Sequence, residues 1–303
     1  MLKLFRDAAR PTPRSLRRRL QEFRGGDRVE TVLTRAGEIA YWTRGQGAPV
    51  LLLHGNSAGK EVFCKQMDVL AEAGYRAVAV DLPGHGESSD AAAPERDYSI
   101  VGYASVMREV IERLDLGGAV MIGWSLGGHV GIEMAGRGYP LSGLALTGTP
   151  PCGPGAAEFA ETFLPTPAME VTGKENPSGE ELARYVAQLY ARLEPTPALF
   201  HDLAVRTDGR ARRLMIEHAA VGLEGCHQRT VVRGWNKPIT VLQGAEEPFF
   251  ANSALAGLGW RNLWRNEIVE IAGAAHAPHI EQPQAFNTAL LAFLHDAHGT
   301  KVG

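Results

Sequence analysis

The sequence predicts an α/β fold with a mostly parallel central sheet, helices on both faces of that sheet, and a helical cap inserted between two late strands. Three observations lead to this prediction. Short apolar runs alternate with helical patterns along most of the chain, which is typical of parallel strands covered by helices. The first two β-prone runs follow each other directly and predict an antiparallel start. A long proline-containing stretch with helical patterns then separates the last strands from the others.

Composition and charge exclude several classes of protein. The 303 residues are 45% hydrophobic and 21% charged, which is ordinary for a globular protein. Residues 1–28 hold nine Lys/Arg and three Asp/Glu, a net charge of +6, so the total of −3 leaves −9 for the remainder. An acidic body argues against nucleic-acid binding, for which a basic domain is usual.

The cysteines and the apolar runs predict a cytoplasmic protein. Cys64, Cys152 and Cys226 are odd in number and lack paired spacing, so reduced thiols are expected rather than a disulfide framework. We find no apolar run long enough for a membrane span and no secretory signal. The oligomeric state cannot be deduced from these features.

Residues 1–27 form a basic N-terminal extension in which Leu16, Leu20 and Phe23 recur at helical spacing beneath a run of arginines. One interpretation is a helix that contacts an anionic membrane surface or a partner through residues 1–25. The other is a solvated helix that packs one apolar stripe on the body of the protein. We favour the second.

Residues 28–149 and 237–303 are predicted to form the core. A hairpin is expected from the runs RVETVLTR and EIAYWTR. The following predicted strands are PVLLLH, RAVAVD, GAVMIGW, LSGLALTG, PITVLQG and EIVEIAG, and the last helix is predicted at AFNTALLAFLHDA.

Residues 150–236 are predicted to form the helical cap. Within this range EELARYVAQLYARL and GRARRLMIEHAA read as helices. We expect RTDGRARR to start a helix with a solvated basic face rather than to form a carboxylate-binding clamp. The cap should cover the carboxyl edge of the sheet, where open α/β folds bind their ligands.

The strongest chemical signal is GWSLGG, which lies where a strand pattern gives way to a helix pattern. A nucleophilic serine needs a strained strand-to-helix turn, and a glycine two residues to either side lets that turn close without a Cβ clash. Ser125 has Gly123 and Gly127 at those positions. We therefore predict that Ser125 is the nucleophile.

A serine nucleophile requires a base, and the base requires an acid that orients it. After Ser125 the order acid and then His is expected. His276 follows the strand pattern of EIVEIAG, and Glu246 and Glu247 follow that of ITVLQG. We predict His276 as the base and Glu247 as the acid, with Glu246 as the alternative.

The loop HGNSAGK after the third strand could either bind phosphate or support the nucleophile. A phosphate-binding loop would require Gly at His54 and Ser or Thr at Glu61, so both defining positions fail. In the alternative, this loop and the residue after the nucleophile each supply a backbone N–H to an oxyanion. Asn56 and Leu126 are the predicted donors.

The remaining histidines and the absence of metal motifs complete this prediction. His129 and His279 are expected to be structural. No H-E-x-x-H, H-x-H or paired C-x-x-C motif occurs, so we predict no metal and no cofactor.

The strings HGNS, DLPGHGES, GWSLGGH and GAAHAPH, in this order, resemble the α/β-hydrolase superfamily from about residue 28 to the C-terminus. Members with an aspartate nucleophile do not fit because position 125 is Ser. More narrowly, GWSLGGHVGIEM, TGTPP, RTDGRARR, EEPF and NLW are similar to the α/β-hydrolase-type N-acyl-homoserine lactonases, which quench quorum-sensing signals without a metal.

The resemblance implies a Ser–Glu–His triad and an oxyanion hole at Asn56 and Leu126. Ala275 departs from it, because Gly is usual before the catalytic His. Residues 153–195 match poorly, so Tyr185 and Tyr190 are only candidates for substrate contact. Trp124 could line the acyl pocket or pack beneath the cap.

The sequence thus predicts a serine hydrolase that opens the lactone ring of N-acyl-homoserine lactones. A general carboxylesterase, or another capped hydrolase of a small ester, is the first alternative. A receptor that binds such a ligand without turnover is the second.

Overall fold

The computed structural model describes residues 28–193, 196–222 and 225–299. In this part of the chain a mixed eight-stranded sheet has the order β1-β2-β4-β3-β5-β6-β7-β8. The contacts β1–β2 and β2–β4 are antiparallel, and all the others are parallel. The strands are β1 Glu30–Thr34, β2 Gly37–Arg44, β3 Ala48–Leu53, β4 Tyr75–Val80, β5 Ala119–Trp124, β6 Leu141–Thr147, β7 Ile239–Gly244 and β8 Val269–Ile271.

Helices connect the parallel strands and also fill the interval between β6 and β7. They are α1 Cys64–Glu72, α2 Pro94–Asp97, α3 Ile100–Arg113, α4 Leu126–Gly136, α5 Ala156–Thr162, α6 Pro167–Val171, α7 Gly179–Leu189, α8 Ala198–Arg206, α9 Gly209–Val221, α10 Gln228–Gly234, α11 Ser253–Ala256, α12 Pro278–Glu281 and α13 Pro283–Gly299. The predicted fold class is confirmed, because a mostly parallel sheet carries helices between its strands.

The inner strands are apolar because both faces of the sheet are covered. Every residue of β5 and β7 is buried, and this explains why GAVMIGW and ITVLQG read as continuous apolar runs rather than alternating ones. At the edge of the sheet β1 alternates more and leaves Leu33 exposed. Two of the predicted site residues, Ser125 and Glu247, follow the fully buried strands β5 and β7, whereas His276 follows the edge strand β8.

Local sequence signals start the helices between β6 and β7. Ser178 and Glu181 form a reciprocal capping box at α7, which satisfies two N–H groups that the first turn leaves free. Asp208 accepts a hydrogen bond from the N–H of Arg210 at the start of α9, and Gly222 ends that helix in the left-handed conformation with φ 67°. These helices lie within residues 150–236, the range predicted as a cap, and the cap itself stays a prediction.

The solvated basic face predicted for RTDGRARR is wrong at two positions. Arg206 and Arg212 are buried. Arg206 donates to the Ser88 carbonyl and pairs with Asp90, and Arg212 donates to Ser57. These guanidinium groups attach the helices to loops of the core, because buried donors need acceptors.

The basic extension at residues 1–27 lies outside the described residues. Across the described ranges, none of the helices is both long and apolar enough to cross a lipid bilayer. The cytoplasmic location stays a prediction.

Candidate active site

Ser125 occupies a sharp turn between β5 and α4. Its φ of 52° and ψ of −117° lie outside the regions that a serine normally prefers. A Cβ at Gly127 would lie 2.2 Å from the Leu53 carbonyl oxygen, and one at Gly123 would lie 2.5 Å from the backbone of Gly128. Glycine is therefore required on both sides, as the motif predicts.

The carboxyl ends of four strands bring the predicted residues to one edge of the sheet. Asn56 follows β3, Ser125 follows β5, Glu247 follows β7 and His276 follows β8. Because β3 and β5 are neighbours in the sheet, their loops meet, and a Cβ built on Gly55 would lie 3.1 Å from the Ser125 Cβ. The topology thus brings together residues that are far apart in sequence.

The imidazole of His276 is held by the carboxylate of Glu247. Nδ1 lies 2.9 Å from both Oε1 and Oε2, and both side chains are almost fully buried. The carboxylate also accepts hydrogen bonds from Gln243 Nε2, at 2.9 Å, and from the N–H of Phe249, at 3.0 Å. Because a carboxylate only accepts, Nδ1 is the donor, and in the neutral form of the ring the lone pair is on Nε2.

Neighbouring aromatic rings fix the position of His276. The Trp124 indole donates to the His276 carbonyl oxygen at 2.7 Å, and Phe249 contacts the imidazole edge to face at 4.7 Å between ring centroids. The fallback acid, Glu246, is partly exposed and pairs with Arg192. Of the two glutamates that the sequence leaves open, Glu247 is the one that contacts the imidazole.

Ser125 and His276 line the same cavity. Across residues 28–193, 196–222 and 225–299 the Ser125 hydroxyl has no hydrogen bond to the imidazole. Hydrogen bonds between catalytic groups are often long before a substrate binds and shorten in its complex. The Ser125 hydroxyl and the His276 imidazole therefore face one cavity, and the hydrogen bond needed for proton transfer is expected to form when the substrate binds.

The predicted oxyanion donors flank Ser125. Leu126 is the first residue of α4, where backbone N–H groups have no intrahelical acceptor and the helix dipole is positive. Among the described residues neither its N–H nor that of Asn56 has a hydrogen-bond acceptor. The Asn56 carboxamide donates to the Thr172 carbonyl at 3.1 Å and so contacts the helical cap.

The cavity has about 510 Å³ of atom-free space, part of it continuous with solvent, and its wall is mainly apolar. Helices between β6 and β7 supply most of this wall. The lining residues are Asn56, Ser125, Leu126, His129, Phe159, Phe163, Met169, Thr172, Tyr185, Leu189, Met215, Ile216, Phe249 and His276. An apolar cavity with a few polar groups fits a small ligand that has both a hydrocarbon part and a polar part.

The predicted substrate contacts separate into two groups. Tyr185 lines the cavity, and its hydroxyl lies 3.4 Å from the Asn56 carbonyl. The side chains of Trp124 and Tyr190 are fully buried and lie outside the lining of this cavity, so substrate contact by either one stays a prediction. Trp124 packs between Tyr190 and the two histidines of HAPH, and Tyr190 stacks on Phe200. Of the two interpretations of Trp124, packing beneath the cap agrees with the structure.

His129 also lines the cavity, although the sequence predicts only a structural role for it. It lies four residues after Ser125, and this spacing on a helix was the signal that could have placed both on one face. The other predicted structural histidine, His279, is fully buried and absent from the lining.

The lysine of HGNSAGK is not available to a phosphate. Lys60 is fully buried, and its ammonium contacts Glu61, Asp81 and Glu87 at 3.0, 2.7 and 2.9 Å. Burial lowers the pKa of Lys60, but the three carboxylates outweigh it and hold that pKa above its ordinary value. Burial also raises the pKa of Glu61 to about 7. In the described part of the chain, no three His, Cys, Asp or Glu side chains are grouped so that they could hold a metal.

Comparisons with known proteins identify a family and several similar proteins. Residues 50–289 match the Alpha/beta hydrolase family. A variant of N-acyl homoserine lactonase AidH complexed with N-hexanoyl homoserine is 39% identical, with a TM-score of 0.85 over 91% of this chain and 98% of its own. AidH complexed with N-butanoyl homoserine is 40% identical, with a TM-score of 0.84 over 91% and 98% of the two chains. The AB hydrolase superfamily protein YisY of Bacillus subtilis (strain 168) is 24% identical over 263 residues, 82% of this chain and 92% of its own.

Proposed function

The chain belongs to the alpha/beta hydrolase family, and from this premise we propose that it opens the lactone ring of N-acyl-homoserine lactones. The observation that supports the proposal is that Ser125 and His276 line one apolar cavity and that the Glu247 carboxylate contacts the His276 imidazole. Similarity to N-acyl homoserine lactonase AidH over 91% of the chain supports the choice of substrate.

The first half of the reaction forms an acyl-enzyme. The Ser125 hydroxyl loses its proton to Nε2 of His276 and attacks the carbonyl carbon of the lactone. The negative charge on the carbonyl oxygen is stabilised by the N–H groups of Asn56 and Leu126, while Glu247 stabilises the imidazolium. When the ring C–O bond breaks, Nε2 returns the proton to the departing ring oxygen, which stays attached through the rest of the molecule.

The second half releases the product. Nε2 of His276 takes a proton from water, and the resulting hydroxide attacks the ester carbonyl on Ser125. The Ser125 oxygen leaves with the proton from His276, and N-acyl-homoserine is released. The apolar residues on the cap side of the cavity supply a surface for the acyl chain, since transfer of each methylene from water contributes about 0.8 kcal/mol.

Replacing the nucleophile tests the proposal most directly. We expect Ser125→Ala to lower kcat for N-hexanoyl-homoserine lactone by about 10⁶-fold, measured as proton release with and without a chelator. A reduction of less than tenfold would exclude the mechanism. Loss of wild-type turnover with the chelator would contradict a reaction without metal.

A substrate panel separates the proposal from its alternatives. We expect a higher kcat/KM for the lactones of a homologous acyl series than for linear esters of the same acyl length. Preference for the linear esters would favour a general carboxylesterase instead. No labelling of Ser125 by a fluorophosphonate, together with tight lactone binding, would favour a receptor.

A further inference from the structure

His129 is a second cavity imidazole beside the reactive serine. The backbone N–H of His129 donates to the Ser125 carbonyl oxygen at 3.2 Å, so His129 lies one turn into α4 and Ser125 immediately precedes that helix. Both side chains line the same cavity. The His129 ring can therefore reach a group attached next to a carbonyl that is bound at Ser125.

The orientation of the Gln228 carboxamide determines which His129 nitrogen carries a proton. Gln228 Oε1 faces the N–H of Cys152 at 3.4 Å, and a backbone N–H can only donate. Its Nε2 faces the His129 carbonyl at 3.5 Å, and a carbonyl can only accept. The oxygen of the carboxamide is therefore the atom 2.8 Å from His129 Nδ1, and Nδ1 carries the hydrogen.

The other ring nitrogen of His129 is an unused acceptor on the cavity. In the described part of the chain Nε2 has no hydrogen-bond partner, and it is not among the atoms sealed from solvent. Burial lowers the pKa of His129 to about 4, against a smaller opposing effect of the bond to Gln228. The ring is therefore neutral at pH 7, and Nε2 presents a lone pair in a largely apolar wall.

We propose that His129 Nε2 accepts a hydrogen bond from an N–H on the carbon next to the ester carbonyl, so that the site selects α-acylamino esters and lactones. This inference rests on the proposed function for the position of the carbonyl at Ser125. In an N-acyl-homoserine lactone the amide nitrogen is two bonds from the carbonyl carbon that Ser125 attacks. In an analogue with oxygen in place of N–H, that oxygen and His129 Nε2 would both be acceptors, so no hydrogen bond could form between them. An acceptor left unpaired in a site without water weakens binding.

Binding to the Ser125→Ala protein tests the inference without turnover. The ligands are N-hexanoyl-homoserine lactone and α-hexanoyloxy-γ-butyrolactone. They differ only in the group that joins the hexanoyl chain to the ring, which is N–H in the first and oxygen in the second. We expect the amide to bind about 10- to 100-fold more tightly, as measured by calorimetry. Similar affinities for the two ligands, or no binding of either, would overturn the inference.

Two substitutions at His129 in the Ser125→Ala background sharpen this test. His129→Phe keeps an aromatic ring but removes the acceptor, and we expect the ratio of the two dissociation constants to fall to about 1. His129→Gln keeps an acceptor oxygen and should retain part of the ratio. A ratio that persists in a folded His129→Phe protein would contradict the proposal. If that variant does not fold, loss of all discrimination in His129→Gln would contradict it.

The failure of this inference is distinguishable from failure of the proposed function. Lactone opening by the Ser125 enzyme, with equal binding of the two ligands, would remove only the role of His129. Discrimination in binding without lactone opening would remove only the proposed reaction.

Discussion

Two sides of the cavity each hold an imidazole, and the partner of Nδ1 differs between them. On one side His276 faces the Glu247 carboxylate at 2.9 Å. On the other side His129 faces the Gln228 carboxamide at 2.8 Å. Both partners fix the ring and the proton on Nδ1, but only the carboxylate stabilises the positive charge that appears when Nε2 takes a proton. The same side chain is thus suited to be a base in one place and a neutral acceptor in the other.

A third imidazole has no hydrogen-bond partner within the described residues and shows mainly the effect of burial. His279 is fully buried against Phe63, Trp124 and Phe286. Neither of its ring nitrogens has a hydrogen bond within the described residues. Burial lowers the pKa of His279 to about 3, with a smaller contribution from His276. The three histidines therefore differ because of what lies beside each ring.

The largest effect is expected when the partner of His276 is made to resemble that of His129. Glu247→Gln replaces a carboxylate by a carboxamide, which cannot stabilise the imidazolium and can offer Nδ1 an N–H of its own. We expect kcat/KM for N-hexanoyl-homoserine lactone to fall about 10⁴-fold, the size of the effect when a triad acid becomes an amide.

Glu246→Gln is the matched control for that substitution. Glu246 is the neighbouring, partly exposed glutamate that pairs with Arg192, and its loss should change kcat/KM less than about twofold. Equal losses in the two variants would mean that Glu247 is not the orienting acid.

We expect an intermediate effect on the pH dependence of the unfolding free energy when the imidazole of His279 is removed. The pKa of His279 is about 3 in the fold and about 6.5 when the chain unfolds. Between these values only the unfolded chain binds the proton, so the stabilisation is complete above pH 6.5 and declines as the pH falls towards 3. From pH 7 to pH 5 this costs about 2 kcal/mol of unfolding free energy.

His279→Leu should remove that part of the pH dependence. Urea denaturation at pH 7 and pH 5 would show a decline about 2 kcal/mol smaller than in wild type. His295→Leu is the control, because this side chain is 87% exposed and should leave the pH dependence unchanged. Identical declines in His279→Leu and wild type would contradict the explanation.

The smallest effect is expected when His129 receives a carboxylate partner. Gln228→Glu should raise the pKa of His129 and place a proton on Nε2, which then cannot accept. In the Ser125→Ala background the preference for the amide ligand should fall about tenfold. Gln228→Met, which removes the partner without adding a charge, should lower the preference less. A larger loss with Met than with Glu would show that charge is not the cause.

Much of the site is predictable because its motifs are local. GWSLGG contains the steric requirements of its own turn, and four of the predicted strands each end near one polar site residue at the same sheet edge. The sequence left Glu246 and Glu247 open as acids, since the choice depends on how the loop after β7 turns towards His276. Their contacts, to Arg192 and to His276 respectively, separate them.

The remaining features depend on contacts that the sequence pattern does not contain. His129 and Gln228 are 99 positions apart, and no motif at Gln228 points to a contact with His129. The burial of Trp124 and Tyr190 depends on how the helices between β6 and β7 pack onto the sheet. Likewise, no pattern around Lys60 reveals that Asp81 and Glu87, on the loop after β4, close around its ammonium.

The enclosure of Lys60 also has a consequence for chemical labelling. An N-hydroxysuccinimide ester should acylate the exposed Lys65 in the native protein but not the fully buried Lys60, whose ammonium is surrounded by carboxylates. Lys60 would react only after the sheet edge that encloses it has opened. Mass spectrometry of the peptide that carries both lysines would therefore measure two properties in one spectrum. Acylation of Lys65 would report surface reactivity, and acylation of Lys60 would report unfolding.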